Sequence, residues 1–306
     1  MINRRNFLKT GTAVTAGGLF LPNFIISSEN KSTMPEPGLQ LYTFFNSIDK
    51  DVYGTLKQIA SIGYKNIESA FSKKGGYYGM APKEFSSMVQ SLGMKWRSHH
   101  VLGAPFKPPP NFKMPLDADG KPMVIPPMKT LRDNFQQLVD EAAEGGVEFL
   151  VCANTPINSK DEIIASITTI NKAAEAATKA GLKFVYHNHD AEFYNVEGVV
   201  PYNLLLSETN PQDVKMELDL AWAIKGGADP VELFEKHPGR FPLWHVKDLD
   251  TEMKNVLPVG KGTIDFKRIF KHRKIAGMKY YFIEHDMPDD AVASITESIK
   301  NLKKIK

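Results

Sequence analysis

The chain has 306 residues and a formal net charge of +3, with 42% hydrophobic and 24% charged residues. These proportions are those of an ordinary globular enzyme, and they exclude disorder, collagen and coiled coil as the main architecture. The single cysteine, Cys152, excludes an intrachain disulfide and a cysteine-based metal site. Three basic residues near the N-terminus account for the net charge, so the rest of the chain is close to neutral. A near-neutral chain is not expected to bind the nucleic-acid backbone.

The N-terminal segment has the pattern of an export signal. Arg4 and Arg5 begin it, a mildly apolar run follows over residues 10–26, and residues 27–33 are polar. Adjacent arginines in this setting are similar to a twin-arginine signal, whose machinery exports folded proteins. The alternative is an amphipathic N-terminal helix with two chance arginines.

A membrane span is not expected in this segment, because Gly17, Gly18 and Pro22 interrupt an already short apolar run. We therefore predict that residues 1–33 are a signal peptide with a polar leader. This predicts a periplasmic protein without stable membrane insertion after processing.

One unit recurs through the remaining residues: an amphipathic helix, a short break that often contains glycine, and an apolar strand. Its copies cover residues 56–70, 85–100, 138–154 and 173–189, and further strands follow at 214–220, 241–248 and 278–286. An opening strand at 38–44 and a closing helix near 290–304 complete eight strands and eight helices. The alternation predicts a parallel sheet, and eight units predict an α/β fold closed as a (β/α)8 TIM barrel over residues 34–306. The alternative, an open doubly wound sheet, lacks a Gly-x-Gly-x-x-Gly motif after the first strand.

Polar residues accumulate where the predicted strands end, which is the active-site face of such a barrel. They are Glu68, His99, His100, His187, Asn188, His189, Glu217, Asp219, His245, Lys247, Asp248, Glu284, His285 and Asp286. Burying carboxylates and imidazoles together is costly without a cation. Oxygen and nitrogen ligands without thiolate favour one divalent ion such as Mn²⁺, Mg²⁺, Co²⁺ or Zn²⁺. Such an ion polarises a carbonyl, which is the chemistry of sugar isomerisation, epimerisation and β-elimination.

Four stretches carry a family resemblance. They are YHNHDAEF at 186–193, ELDLAWAIKGGADP at 217–230, HPGRFPLWHVKD at 237–248 and PVGKGTIDF at 258–266. With them the chain after residue 36 resembles the xylose isomerase-like barrels, often called sugar phosphate isomerases/epimerases, of which endonuclease IV is a distant relative.

The resemblance implies a divalent metal held at the ends of strands five to eight. Asp219, His245 and Glu284 match three of its ligands, and His187 stands where the family usually has a glutamate. The two-glutamate proton relay of the ketose 3-epimerases is therefore not intact. The YHNH motif is closer to the inosose dehydratase-like and keto-sugar branches.

Three further residues are candidates for the chemistry. Lys247 is expected to anchor a substrate hydroxyl or stabilise an enolate, or else to form an ion pair with Asp219 or Glu217. His189 is a candidate general acid or base, or a residue that orients His187. Glu192 either replaces the missing strand-five glutamate or is a solvated loop acid.

Substrate contacts are expected from Glu68, His100 and Glu217, with structural roles as the alternative. Trp222 and Trp244 either form surfaces on which a sugar ring stacks or belong to the hydrophobic core. The loop at 103–128 contains eight prolines and follows strand three, which predicts a lid over the mouth or an oligomer contact.

The predicted function is that of a divalent-metal-dependent isomerase or epimerase. It would act on a small sugar or keto-sugar by proton abstraction next to a carbonyl. The alternatives are a metal-dependent lyase or dehydratase on keto-glycosides or inososes, and a noncatalytic sugar-binding barrel. A nuclease like endonuclease IV is opposed by the neutral charge and the export signal. A homo-oligomer is left open.

Overall fold

Eight parallel strands close into a barrel in the computed structural model, which describes residues 34–105 and 128–305. The strands in chain order are β1 (Gly38–Gln40), β2 (Asn66–Ser69), β3 (Lys95–Leu102), β4 (Phe149–Asn154), β5 (Lys183–His187), β6 (Val214–Asp219), β7 (Leu243–Val246), β8 (Asp248–Leu249), β9 (Val256–Leu257) and β10 (Tyr280–Ile283). The strands β8 and β9 form a separate antiparallel pair. The other eight close the barrel in the order β1-β10-β7-β6-β5-β4-β3-β2. The predicted (β/α)8 TIM barrel is confirmed.

Helices follow the barrel strands, as the recurring unit predicts. They are α1 (Val52–Ile62), α2 (Pro82–Ser91), α3 (Leu131–Gly145), α4 (Lys160–Lys179), α5 (Pro201–Glu208), α6 (Leu220–Lys225), α7 (Pro230–Lys236), α8 (Phe266–Lys271), α9 (Arg273–Ala276) and α10 (Ala291–Ile305). Short 3-10 turns cover Leu41–Phe44, Ile48–Lys50 and Ala191–Phe193. Two connections, those after β6 and β7, each contain two short helices where the sequence pattern predicted one.

The opening strand is shorter than the predicted 38–44. It ends at Gln40, whose side chain accepts a hydrogen bond from the Tyr42 N–H at 3.1 Å and so starts the first 3-10 turn. The sixth strand likewise ends at Asp219, because the Asp219 Oδ1 atom accepts the Trp222 N–H at 2.8 Å and caps α6. Asp219 therefore both ends a strand at the carboxyl face of the barrel and starts a helix.

Glycines end several helices where the sequence predicted left-handed residues. Gly63 and Gly277 have φ values of +112° and +77°. At Gly277 a Cβ atom would also lie 2.9 Å from the Gly239 Cα atom, so both conformation and space favour glycine there.

An apolar layer inside the strands supports the polar mouth. Val185, Leu243 and Phe282 belong to one buried cluster. Each lies two residues before His187, His245 or Glu284, and alternate strand residues point to the same side. The Glu284 N–H donates a hydrogen bond to the Val246 carbonyl at 3.2 Å, which extends the pairing of β10 with β7. The polar side chains therefore stand directly above the apolar layer.

The predicted signal peptide and leader, residues 1–33, lie outside the described residues, and the described residues from Pro35 onward belong to one compact unit. Among the described residues, no helix is both long and apolar enough to cross a membrane. Residues 106–127 of the proline-rich loop lie outside the described residues, so its role as a lid stays a prediction.

Candidate active site

The carboxyl ends of six barrel strands bring together seven acidic and imidazole side chains. They are Glu68 on β2, His100 on β3, His187 on β5, Glu217 and Asp219 on β6, His245 on β7 and Glu284 directly after β10. All seven are buried. The strand register explains the grouping, because His187 pairs with Glu217 while Asp219 pairs with His245.

Asp219, His245 and Glu284 form an upper set whose ligand atoms lie within 4.8 Å of one another. The His245 Nδ1 atom lies 2.8 Å from Glu284 Oε2 and 3.8 Å from Asp219 Oδ2. The buried Asp219 Oδ2 atom faces the Lys247 ammonium at 3.0 Å. Two carboxylates and one imidazole of this set therefore lie within reach of a single cation.

A lower set lies one strand layer deeper, and its ligand atoms are also mutually within 4.8 Å: His100, His187, Glu217 and the other ring nitrogen of His245. His100 Nε2 lies 2.7 Å from Glu217 Oε2, and His187 Nδ1 lies 3.2 Å from the same oxygen. His245 Nε2 lies 2.5 Å from Glu68 Oε1. His245 therefore contacts both sets, with one ring nitrogen toward each.

Lys247 supplies the cation of the upper set. Its Nζ atom lies 3.0 Å from Asp219 Oδ2, 2.6 Å from Glu284 Oε2 and 2.9 Å from Asp286 Oδ2. Burial alone would lower the pKa of Lys247, but Asp219, Asp286 and Glu284 raise it well above its usual value. The expected ion pair with Asp219 is present, and Lys247 is held as an ammonium.

The pKa values of the buried carboxyl groups differ because each group has different neighbours. Burial would raise the pKa of Glu284, but Lys247 and His245 lower it below its usual range, so Glu284 is ionised. Burial and the charge of Glu68 raise the pKa of Glu217 to about 7. Divergent pKa values among buried acids are typical of catalytic sites.

The pKa values of the two imidazoles His100 and His187 are also shifted in opposite directions. Burial would lower the pKa of His100, but Glu68 and Glu217 raise it to about 9. Burial and the neighbouring His245 instead lower the pKa of His187 well below its usual value. His187 therefore presents a neutral ring, which is the form that binds metals.

Glu192 is buried, which corrects the expectation of a solvated loop acid. Its Oε1 atom accepts the Tyr186 O–H at 2.7 Å, and its Oε2 atom accepts the His189 backbone N–H at 3.0 Å. Both oxygens are occupied by strand-five neighbours. The geometry thus makes Glu192 a residue that positions His189, and its predicted catalytic role is untested.

His189 is half-buried, and its ring centroid lies 5.0 Å from that of His187 and 6.5 Å from that of Trp222. Trp222 is half-buried too, with Lys247 Nζ 5.0 Å from its ring. Trp244 is fully buried and stacks on Phe234 at 4.8 Å, so it belongs to the core.

Three site residues had no predicted role. Gln40 Nε2 donates to Glu68 Oε1 at 2.9 Å, and Asp286 is the third acidic partner of Lys247. Asn188 Oδ1 accepts the Asp219 N–H at 3.1 Å and links the ends of β5 and β6. The His-Asn-His spacing could have indicated Asn188, because it lies on the opposite side of the strand from its two histidines.

The sequence profile described as "Xylose isomerase-like TIM barrel" matches residues 56–305. The chain belongs to this family. A twin-arginine translocation signal profile also matches residues 1–20, which indicates export.

Curated relatives of this family member include two inosose dehydratases. That of Geobacillus thermodenitrificans is 26% identical over 168 residues, or 49% of this chain and 56% of the relative, so that match spans about half of its length. That of Lacticaseibacillus casei is 25% identical over 296 residues, which cover 89% of this chain and 91% of the relative.

Solved structures have the same architecture. A sugar phosphate isomerase/epimerase from Parabacteroides distasonis is 28% identical with a TM-score of 0.71, covering 88% of this chain and 98% of that one. An IOLI protein with a bound zinc atom is 15% identical with a TM-score of 0.63, covering 89% and 98% of the two chains. At 15% identity, the similarity to the IOLI protein is a similarity of fold alone.

Proposed function

We propose that this family member is a divalent-metal-dependent isomerase or epimerase. It would act on an unphosphorylated sugar or keto-sugar, by proton abstraction next to a carbonyl. The observation that carries the proposal is the buried upper set of Asp219, His245 and Glu284, which stands at the carboxyl ends of three adjacent barrel strands.

The residues of the upper set fit a divalent cation. They offer two carboxylates and one imidazole without thiolate, and their ligand atoms lie within 4.8 Å of one another. Asp219, His245 and Glu284 would hold the ion. His187, the fourth ligand expected from the family resemblance, lies in the lower set, where its Nδ1 atom is 3.2 Å from Glu217 Oε2. When bound, such an ion polarises a carbonyl and its neighbouring hydroxyl and so acidifies the intervening C–H.

His189 is the proposed base that takes this proton. It is half-buried at the end of β5, and Glu192 fixes its backbone through the 3.0 Å hydrogen bond. The Lys247 ammonium, 2.6 Å from Glu284, is placed to stabilise negative charge on a substrate oxygen. Return of the proton to the opposite face gives epimerisation.

A lyase is the second candidate, because the relatives named above are inosose dehydratases, and one of them is matched over 89% of this chain. Loss of a β-substituent would follow the same proton abstraction. The export signal supports an unphosphorylated sugar, keto-glycoside or cyclitol in either case, because phosphorylated sugars are cytoplasmic intermediates.

The test is incubation of the metal-loaded protein with 3-keto-glycosides, inososes and free ketoses in D₂O, followed by NMR. We expect exchange of the hydrogen next to the carbonyl, dependent on metal and lost in His189→Gln. Epimerised product supports the first candidate and an eliminated product the second. The matched control is Glu232→Gln, an exposed acid whose side chain is 63% accessible. Full turnover without exchange in both His189→Ala and Glu192→Ala would contradict proton abstraction.

A further inference from the structure

A cavity of about 110 Å³ lies beside the barrel mouth, on the side of β2 and β3. Its wall is formed by the loop after β2, the end of β3 and one side of α3. A cavity of this size holds several waters, which the hydroxyl groups of a ligand can replace. None of the chemical steps proposed above uses this space.

The cavity adjoins the two ligand sets through one side chain. His100 lines the cavity, and its Nε2 atom lies 3.1 Å from Glu68 Oε1. The same Glu68 oxygen lies 2.5 Å from His245 Nε2, and the other ring nitrogen of His245 belongs to the upper set. A molecule bound at the upper set therefore needs to extend past only one imidazole to reach the cavity.

An aromatic surface connects the same two places along the rim. Phe71 lines the cavity and is half-buried, and its ring centroid lies 5.6 Å from that of Tyr42. Burial and the charges of Asp286 and Glu284 raise the pKa of Tyr42 to about 12, so its hydroxyl stays protonated beside the upper set. Two neighbouring rings thus run from the upper set to the cavity.

The cavity wall contains a buried hydroxyl without a partner. Tyr77 is 2% exposed, and its O–H has no hydrogen-bond partner among the residues that the structure describes. Contacts with the Trp96 and His99 rings, at 5.2 and 4.6 Å between centroids, hold the tyrosine in place. Burial and the charges of Glu141 and Glu144 raise the pKa of Tyr77 above its usual value, so it remains a donor. Such a buried donor costs free energy unless a ligand brings an acceptor.

The other lining groups indicate what kind of ligand fits. Lys129 and Glu141 form an ion pair in the wall, and Phe71 offers the face of its ring. An aromatic face with a hydroxyl, a carboxylate and an ammonium suits a polyhydroxylated ring, whose C–H groups pack on the ring and whose hydroxyls pair with the polar groups. The carboxylate of Glu141 opposes a phosphate. A purely apolar group would leave the Tyr77 hydroxyl unpaired.

The loop that carries these rings is fixed before any ligand binds. Ser72 Oγ donates to Asp49 Oδ1 at 2.6 Å, and the Lys73 N–H donates to Asp49 Oδ2 at 3.0 Å. Tyr78 has a φ of +58°, which the surrounding contacts must hold. A site with a fixed wall loses little conformational freedom when a ligand binds.

We propose that this cavity binds the second sugar ring of a disaccharide whose first ring reacts at the upper set. The proposal rests on the proposed function, because it takes the upper set as the reacting end. Among the substrates considered above, it selects a keto-disaccharide. A free ketose or a cyclitol has no second ring, so the cavity and the Tyr77 hydroxyl would remain without a ligand.

The experiment measures equilibrium binding to the purified full-length protein by isothermal titration calorimetry. The probes are the methyl α- and β-glucosides, phenyl β-glucoside, and the disaccharides trehalose, maltose, cellobiose and gentiobiose. None of them has the ketone, so binding is measured apart from reaction. We expect at least one disaccharide to bind about tenfold more tightly than either methyl glucoside, which is the effect of one or two additional hydrogen bonds.

Tyr77→Phe removes the hydroxyl and keeps the ring contacts. It should weaken disaccharide binding by about tenfold and leave methyl glucoside binding unchanged. Tyr202→Phe is the matched control, because Tyr202 is also buried with an unpartnered hydroxyl but does not line the cavity. Leu138→Phe narrows the cavity and should abolish the preference for the disaccharide. Circular dichroism verifies that each variant folds.

Three results would overturn the sugar site: no disaccharide binds more tightly than the methyl glucosides, phenyl β-glucoside binds most tightly, or Tyr202→Phe and Tyr77→Phe weaken binding equally. In each case, metal-dependent exchange in D₂O with free keto-sugars would still support the proposed function. Conversely, a disaccharide preference that is lost in Tyr77→Phe, without exchange in any substrate, would support the cavity as a sugar site and overturn the proposed function.

Discussion

The ammonium nitrogen of Lys247 lies 2.6 Å from the Oε2 atom of Glu284, and both side chains are buried. His245 lies in β7 and Lys247 follows the strand directly, so the end of β7 directs an imidazole and an ammonium toward Glu284, which follows β10. Glu284 is therefore held ionised and in place before any substrate or cation arrives.

Replacing Lys247 with methionine should leave three acids without their cation. We expect a loss of about 3–5 kcal/mol in the free energy of unfolding, because breaking a buried ion pair strands the remaining charges. A saturating divalent cation should restore part of this loss by supplying positive charge to Asp219 and Glu284. Urea unfolding with and without Mn²⁺ measures both effects. Lys236→Met, at a 66% exposed position, is the matched control, and equal stability of the two variants would contradict the role of Lys247.

The upper set should be required for metal and for activity. Asp219→Ala, His245→Ala and Glu284→Ala should each lower activity by roughly a hundredfold or more, since a metal contributes several kcal/mol of charge stabilisation. The barrel should remain folded by circular dichroism. Unchanged metal content in an Asp219→Ala/Glu284→Ala double variant, measured by elemental analysis, would show that the ion is held elsewhere.

Cys152 should be unreactive in the folded protein. Burial raises the pKa of its thiol to about 12, against the opposing effect of a hydrogen bond with the backbone of Asn154. We therefore expect no alkylation by iodoacetamide at pH 8, and rapid alkylation in urea. Rapid reaction of the folded protein would contradict the buried position.

The same thiol predicts a pH dependence of stability. Its folded pKa lies above the unfolded value of about 8.5, so its contribution is fully present below pH 8.5 and is lost as the pH rises toward 12. Between pH 9 and 10, wild type should lose about 1 kcal/mol more stability than Cys152→Ala. Parallel pH profiles of the two proteins in urea unfolding would refute this.

Export should depend on the paired arginines. Replacing Arg4 and Arg5 with lysine should retain the protein in the cytoplasm, because the twin-arginine machinery reads that pair. Cell fractionation measures the distribution, with Lys9→Arg as the charge-matched control. Equal distribution of wild type and the double variant would argue against this export route.

The sequence by itself determined the barrel, the export signal and the residues of the upper set. Helix and strand periodicities are local properties, and eight alternating units close in one favoured way. Strand parity placed Glu217 with Asp219, and His245 with Lys247, on shared faces, because alternate residues of a strand point the same way. These properties depend only on residues that are close together in the sequence.

Only the tertiary structure decided the depth of each side chain and its partners. Glu192 follows the strand like an exposed loop acid, yet the chain turns back and buries it between Tyr186 and the His189 backbone. Asp248 likewise accepts the N–H groups of Gly260 and Gly262 from a loop that is distant in sequence.

The assignment of His187 illustrates the physical reason. Its position at the end of a predicted strand places it at the mouth of the barrel, but its height follows from pairing with Glu217, one layer below the level where Asp219 meets His245. Register is a relation between strands, set by how their apolar residues pack and where each strand stops. The sequence of one strand therefore determines which way a ligand points, and the packed barrel determines which other ligands it meets.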